Sequence, residues 1–146
     1  MRFVIFSLSF LALSGHAAGA GTILIKPEEA ALPPSENAAK TASATRALTR
    51  RPDILLVSPE GPVSSPFELR FKFQAHGSSH IRPNSFRLIY LKNPAVDLTE
   101  RVRPFVTASG VEMPGAETPV GKHLVEARIS DDGDRETSSV FVLNIR

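Results

Sequence analysis

The chain has 146 residues, a formal net charge of +2, no cysteine and no tryptophan. That length suits one domain of ordinary size, and the missing cysteines exclude disulfides, thiolate catalysis and a lipid-modified cysteine anchor. The positive excess is local: from Asp53 onward 11 Lys and Arg face 12 Asp and Glu, and the surplus sits largely in Arg2, Arg46, Arg50 and Arg51, so the high pI does not argue for a nucleic-acid face.

Residues 1–20 read as an export signal. Arg2 supplies the positive start, Phe3 to Leu13 is apolar except for Ser7 and Ser9, and Ala18-Gly19-Ala20 offers small residues before a cut after Ala20. The run is shorter than the ~20 apolar residues a membrane helix needs. No later run is longer, so a soluble periplasmic or secreted product without a membrane span is expected.

Residues 21–51 are rich in Ala, Pro, Thr and Ser, with Pro33-Pro34 and no sustained periodicity after Ile23-Leu24-Ile25. Such composition predicts a flexible tail, with a transient helix over Asn37 to Leu48 at most.

From residue 52 to 146 short apolar runs alternate with turn residues, which predicts an all-β domain. Ile54 to Val57 is the first strand, and Pro59, Pro62 and Pro66 punctuate the connection that follows. Phe67 to Phe73 alternates most cleanly, with Phe67, Leu69, Phe71 and Phe73 on one face and Glu68, Arg70 and Lys72 on the other. After a loop over Ala75 to Ser85, Phe86 to Leu91 is the third strand. Asp97 to Arg101 reads as one helical turn capped by Asp97, with Asp97 and Arg101 spaced for an i,i+4 ion pair. Arg103 to Thr107 and Val111 to Met113 are shorter strands. His123 to Ser130 and Val140 to Ile145 complete about seven, joined through an Asp132-Gly133 hairpin turn. No helix is long enough for a parallel crossover. The count matches an immunoglobulin-like antiparallel β-sandwich. Its expected core is Ile54, Leu56, Phe67, Leu69, Phe71, Phe73, Leu88, Tyr90, Val125, Ala127, Ile129, Val140 and Val142.

Three segments together resemble bacterial immunoglobulin-like domains of exported proteins: Ile54 to Pro59 leading to Ser65-Pro66-Phe67; Ser85 to Tyr90; and Pro119-x-Gly121-x-His123 with Asp131-Asp132-Gly133. The resemblance spans roughly residues 52–146. It implies a binding or spacer module, with His123 where such folds place the tyrosine of their corner motif. A weaker likeness is to small periplasmic copper-binding sandwiches, which use a histidine at the mature N-terminus and further His or Met ligands. Here the expected terminus is Gly21, and Met113 is the only methionine after the signal.

Among candidate chemical groups, His76 and His80 share a Gly-Ser loop and form the candidate metal pair for Zn²⁺ or Cu²⁺, although a site needs three or four ligands. Asp131, Asp132, Asp134 and Glu136 lack the alternation of a calcium loop. Arg101 and Arg103 suggest an anion contact only if other groups converge on them. No Gly-x-Ser-x-Gly or His-Glu-x-x-His occurs. The expectation is therefore a monomeric or weakly associating, non-catalytic binding or scaffolding module without a cofactor. Its partner would be a protein or cell-envelope component, with no nucleic acid. Metal binding through His76 and His80 is the alternative.

Overall fold

The computed structural model describes residues 21–36, 38 and 50–146. The expected signal and most of the Ala-rich stretch lie outside those residues. In chain order come β1 (Thr22–Ile23), α1 (Pro27–Ala30), β2 (Asp53–Ser58), β3 (Phe67–Gln74) and β4 (Ile81–Tyr90). Then follow β5 (Val96–Asp97), α2 (Thr99–Val102), a 3₁₀ turn (Arg103–Phe105), β6 (Val106–Thr107), β7 (Gly110–Glu117), β8 (Gly121–Asp131) and β9 (Glu136–Ile145).

The described residues are mostly β, in two sheets that share one core, an arrangement compatible with an all-β sandwich. In the first sheet β3 pairs antiparallel with β2 on one side and β7 on the other. The far edge of β7 carries β6, antiparallel, and β1, parallel. The second sheet runs β5-β4-β8-β9, antiparallel throughout. Phe67, Leu69, Phe71 and Phe73 are all buried, as their alternation requires. Phe71 spans the two layers, its ring centroid 6.2 Å from Phe86 on β4 and 5.3 Å from Phe141 on β9.

Several expectations change. The flexible tail is corrected over residues 21–36. Leu24 and Ile25 are 0% and 1% exposed and belong to the core, and the N–H groups of both donate to the Glu117 carbonyl, at 2.8 and 3.2 Å. Arg101 donates to the Leu24 carbonyl at 2.7 Å and forks onto Glu29 at 2.8 and 2.6 Å. Lys92 Nζ donates to the carbonyls of Ala30 and Leu32 at 2.9 and 2.8 Å. The segment is a strap buckled to the second half of the chain. Arg101 therefore pairs with Glu29 rather than with Asp97 four residues before it; Asp97 instead accepts the Thr99 N–H at 2.8 Å.

In β9 the inward positions are Phe141, Leu143 and Ile145, so Val142 is 52% exposed and Val140 only half-buried. Residues 140–143 are apolar at every position, and the hairpin register decides between the parities. Val125 faces Phe141 and His123 faces Leu143. β4 begins at Ile81, not at Phe86, because Pro83 falls in the irregularity between Arg82 and Arg87, where the ladder does not need its missing N–H. The expected strand at Arg103 opens as a 3₁₀ turn, whereas β7 runs from Gly110 through Glu117. Gly110 has φ 154°, and a Cβ there would overlap the Phe71 carbonyl, so only glycine fits where β7 meets β3.

Nor is the β8–β9 connection a two-residue Asp132-Gly133 turn. Residues 132–135 form the loop, and the left-handed residue is Asp134, φ 57°. The Asp131 side chain organises it. Its Oδ1 accepts the N–H of Gly133 and of Arg135, at 2.9 and 3.1 Å, and its Oδ2 accepts from Arg135 Nε at 2.9 Å.

Candidate functional site

The loop after β3 and the β8–β9 loop lie at the same end of the molecule and border an open depression of about 550 Å³. Arg50, His76, Ser78, Ser79, Asp132 and Arg135 contribute to its wall. The structure gives each loop histidine a separate carboxylate. His76 Nε2 lies 2.8 Å from Asp53 Oδ2, while His80 meets Asp132 through its ring at 3.2 Å and its backbone N–H at 3.1 Å. That N–H, and then the ring, holds the Asp132 carboxyl below its ordinary pKa. Asp134 takes Arg82 at 2.6 Å, and Asp131 takes Arg135. For Asp131, burial pushes the carboxyl up, but its hydrogen bonds from Arg135 and Gly133 outweigh this and hold it low.

Among the described residues, no three His, Asp or Glu side chains are placed to share an ion. His76 and His80 thus lack a third ligand there, and the acidic hairpin spends its carboxylates on separate partners. Excess Zn²⁺ or Cu²⁺ is expected to leave the melting temperature unchanged, because only a ligand that prefers the native state raises it. A rise abolished by the double substitution His76→Ala/His80→Ala would contradict this. Arg101 is committed to the strap and Arg103 to Glu100, so the two do not form an anion site.

His123 is placed quite differently. It is 3% exposed at the start of β8, with Nδ1 2.8 Å from the Tyr90 hydroxyl and Nε2 2.8 Å from the Pro119 carbonyl. The Pro119 oxygen only accepts, so Nε2 carries the hydrogen and Nδ1 accepts from Tyr90. Burial lowers the His123 pKa, the Pro119 bond opposes this, and Lys92 adds to it. The ring is therefore a neutral brace between β4, β8 and the β7–β8 connection. None of the three described histidine rings bonds a serine or threonine hydroxyl.

One sheet edge with unused bonding capacity among the described residues is the outer edge of β9. Val63 N–H donates to the Asn144 carbonyl at 3.0 Å, and Arg146 N–H donates to the Val63 carbonyl at 2.9 Å. Even-numbered β9 residues therefore turn their backbone groups away from β8. Beyond the Val63 contact, Ser138, Val140 and Val142 have no backbone partner on that side among the described residues. Their side chains lie on the outer sheet face, with Val142 opposite Leu124 and Val140 opposite Glu126. Residues 137–145 carry no charge, and the stretch has none of the Lys or Pro residues that commonly guard an edge. That uncharged run is legible in the sequence, but its position at a sheet edge is not.

No known protein family, curated protein or solved structure is matched by this chain. No helix among the described residues is long and apolar enough to cross a membrane.

Proposed function

We propose that this chain is an exported, non-catalytic binding module of immunoglobulin-like type that takes up an extended segment of a protein partner along β9. Strand order supports the immunoglobulin-like reading, with β2-β3-β7-β6 in one layer and β5-β4-β8-β9 in the other. His123 supports it too, since it bonds upstream backbone where a corner tyrosine would. The three-part pattern of residues 1–20 supports export. The observation that carries the binding reading is the uncharged outer edge of β9, where Ser138, Val140 and Val142 have no backbone partner among the described residues. An edge of this kind is completed by main-chain pairing with another strand, and alternate side chains supply selectivity. The complementary segment is extended and uncharged, with apolar side chains at alternate positions to lie beside Val140 and Val142.

A photo-crosslinker at Val142 is expected to capture the partner in cell-envelope or secreted material, and one at Glu60 is not. With the captured partner added back, the amides of Ser138, Val140 and Val142 gain protection from hydrogen exchange. Val142→Lys removes capture while changing stability by no more than ~0.5 kcal/mol, as expected of an exposed position. Capture that ignores the crosslinker's position, or unprotected β9 amides in the complex, would refute the edge as the binding surface.

A further inference from the structure

Glu117 is a junction whose side chain the contacts above leave unused. Its carbonyl takes the N–H groups of Leu24 and Ile25, and its backbone is aligned with Ile23 in the parallel β1–β7 pair. Its carboxylate lies directly over Gly21: a Cβ built on Gly21 would meet that carboxylate, which as the free end of a side chain would have to swing aside. Gly115 flanks the same spot, its own notional Cβ 3.5 Å from the Gly21 Cα. Among the described residues the Glu117 carboxylate has neither an ion pair nor a hydrogen bond. A carboxylate is thus brought against the backbone of the residue that follows the expected cleavage point.

We propose that Gly21, once it is the mature N-terminus, is held through its α-ammonium by the Glu117 carboxylate, so that leader removal itself fastens β1 to β7. The inference rests on the export reading. In the cleavage, a leader peptidase directs water onto the Ala20–Gly21 amide. The C–N bond breaks, Ala20 leaves with a carboxylate, and the Gly21 nitrogen becomes an amine that is protonated near neutral pH. In the uncut chain that nitrogen is a neutral amide and offers Glu117 no charge. After the cut, a cation with three donors faces an anion at the root of the strap.

Two measurements separate this inference from the reading beneath it. First, the full chain is expressed in a bacterial host, and the released product is weighed intact. A chain starting at Gly21 is expected, while an uncut chain overturns export and a different cut overturns the Gly21 terminus. Second, the α-amine of the Gly21-terminated protein is titrated through its ¹³Cα shift. Its pKa is expected to rise about half a unit or more above the usual 7.7–8.0, because an adjacent anion favours the charged form. Glu117→Gln returns it to that range, and Glu117→Asp restores part of the rise. An amine that titrates normally and ignores Glu117→Gln overturns the ammonium pairing even if export holds.

Discussion

Leu24→Ala should lower the unfolding free energy by about 2–5 kcal/mol, the usual cost of emptying a fully buried leucine site. Leu24 is 0% exposed among core side chains, whereas its neighbour Ile23 is 49% exposed on the outside of β1. Ile23→Ala is therefore expected to change stability by less than ~0.5–1 kcal/mol. Paired urea titrations of the two variants read the contrast directly. If residues 21–36 were only a tail, both substitutions would be neutral; equal small effects would remove the strap from the fold. A total stability of roughly 5–15 kcal/mol is typical of such domains, so the Leu24 loss alone takes a large share. Glu29→Gln should act in the same direction with a smaller loss, because that pair retains some solvent contact. Arg101 lowers the Glu29 pKa most strongly, against the effect of burial. The pair's contribution is therefore complete above about pH 4.5 and fades as acid protonates Glu29 below it.

His123→Ala is the second large effect expected, about 2–4 kcal/mol, since it leaves the buried Tyr90 hydroxyl and the half-buried Pro119 carbonyl without that partner and empties a buried side-chain site. The same residue gives a pH signature in another window. Its folded pKa is lowered, with burial as the main cause, so above about pH 6.5 native and unfolded chains hold it alike as neutral imidazole. As the pH falls through about 6.5 the unfolded chain takes up a proton that the native state resists, and stability declines until the folded pKa is passed. Melting temperatures between pH 7.5 and 5 should therefore drop in the native sequence and flatten in His123→Gln, which keeps polar contacts but does not titrate. A pH slope that survives the substitution would assign the loss to other groups.

These sites show what the sequence carries and what it withholds. β3 was legible because four large residues alternate with four polar ones, and a half-buried strand has no other way to read. The inward placement of His123 followed from its parity with Val125 and Ala127. β9 offered no such parity: its apolar run fits either face, and only its pairing with β8 selects Phe141 over Val142. The strap was hidden for a different reason. Ile23-Leu24-Ile25 is too short to show a period, and its partners Arg101 and Glu117 lie some 75–95 residues away in sequence. Of the candidate site, the uncharged character of 137–145 was readable. Its exposure as an edge depends on strand order, which a single sequence does not display.

The strap also fixes an order of events. A chain synthesised from its N-terminus delivers residues 22–32 first, yet among the described residues the groups outside the strap that hydrogen-bond to them sit between Lys92 and Glu117. Leu24 and Ile25 must wait, uncovered, until most of the sequence has emerged, so the earliest residues to appear are among the last to settle. Contacts of such long sequence separation slow folding and prolong the interval in which apolar surface is open to aggregation. Moving the strap's sequence to follow residue 146 through a flexible linker should shorten that wait, and refolding rate would record it.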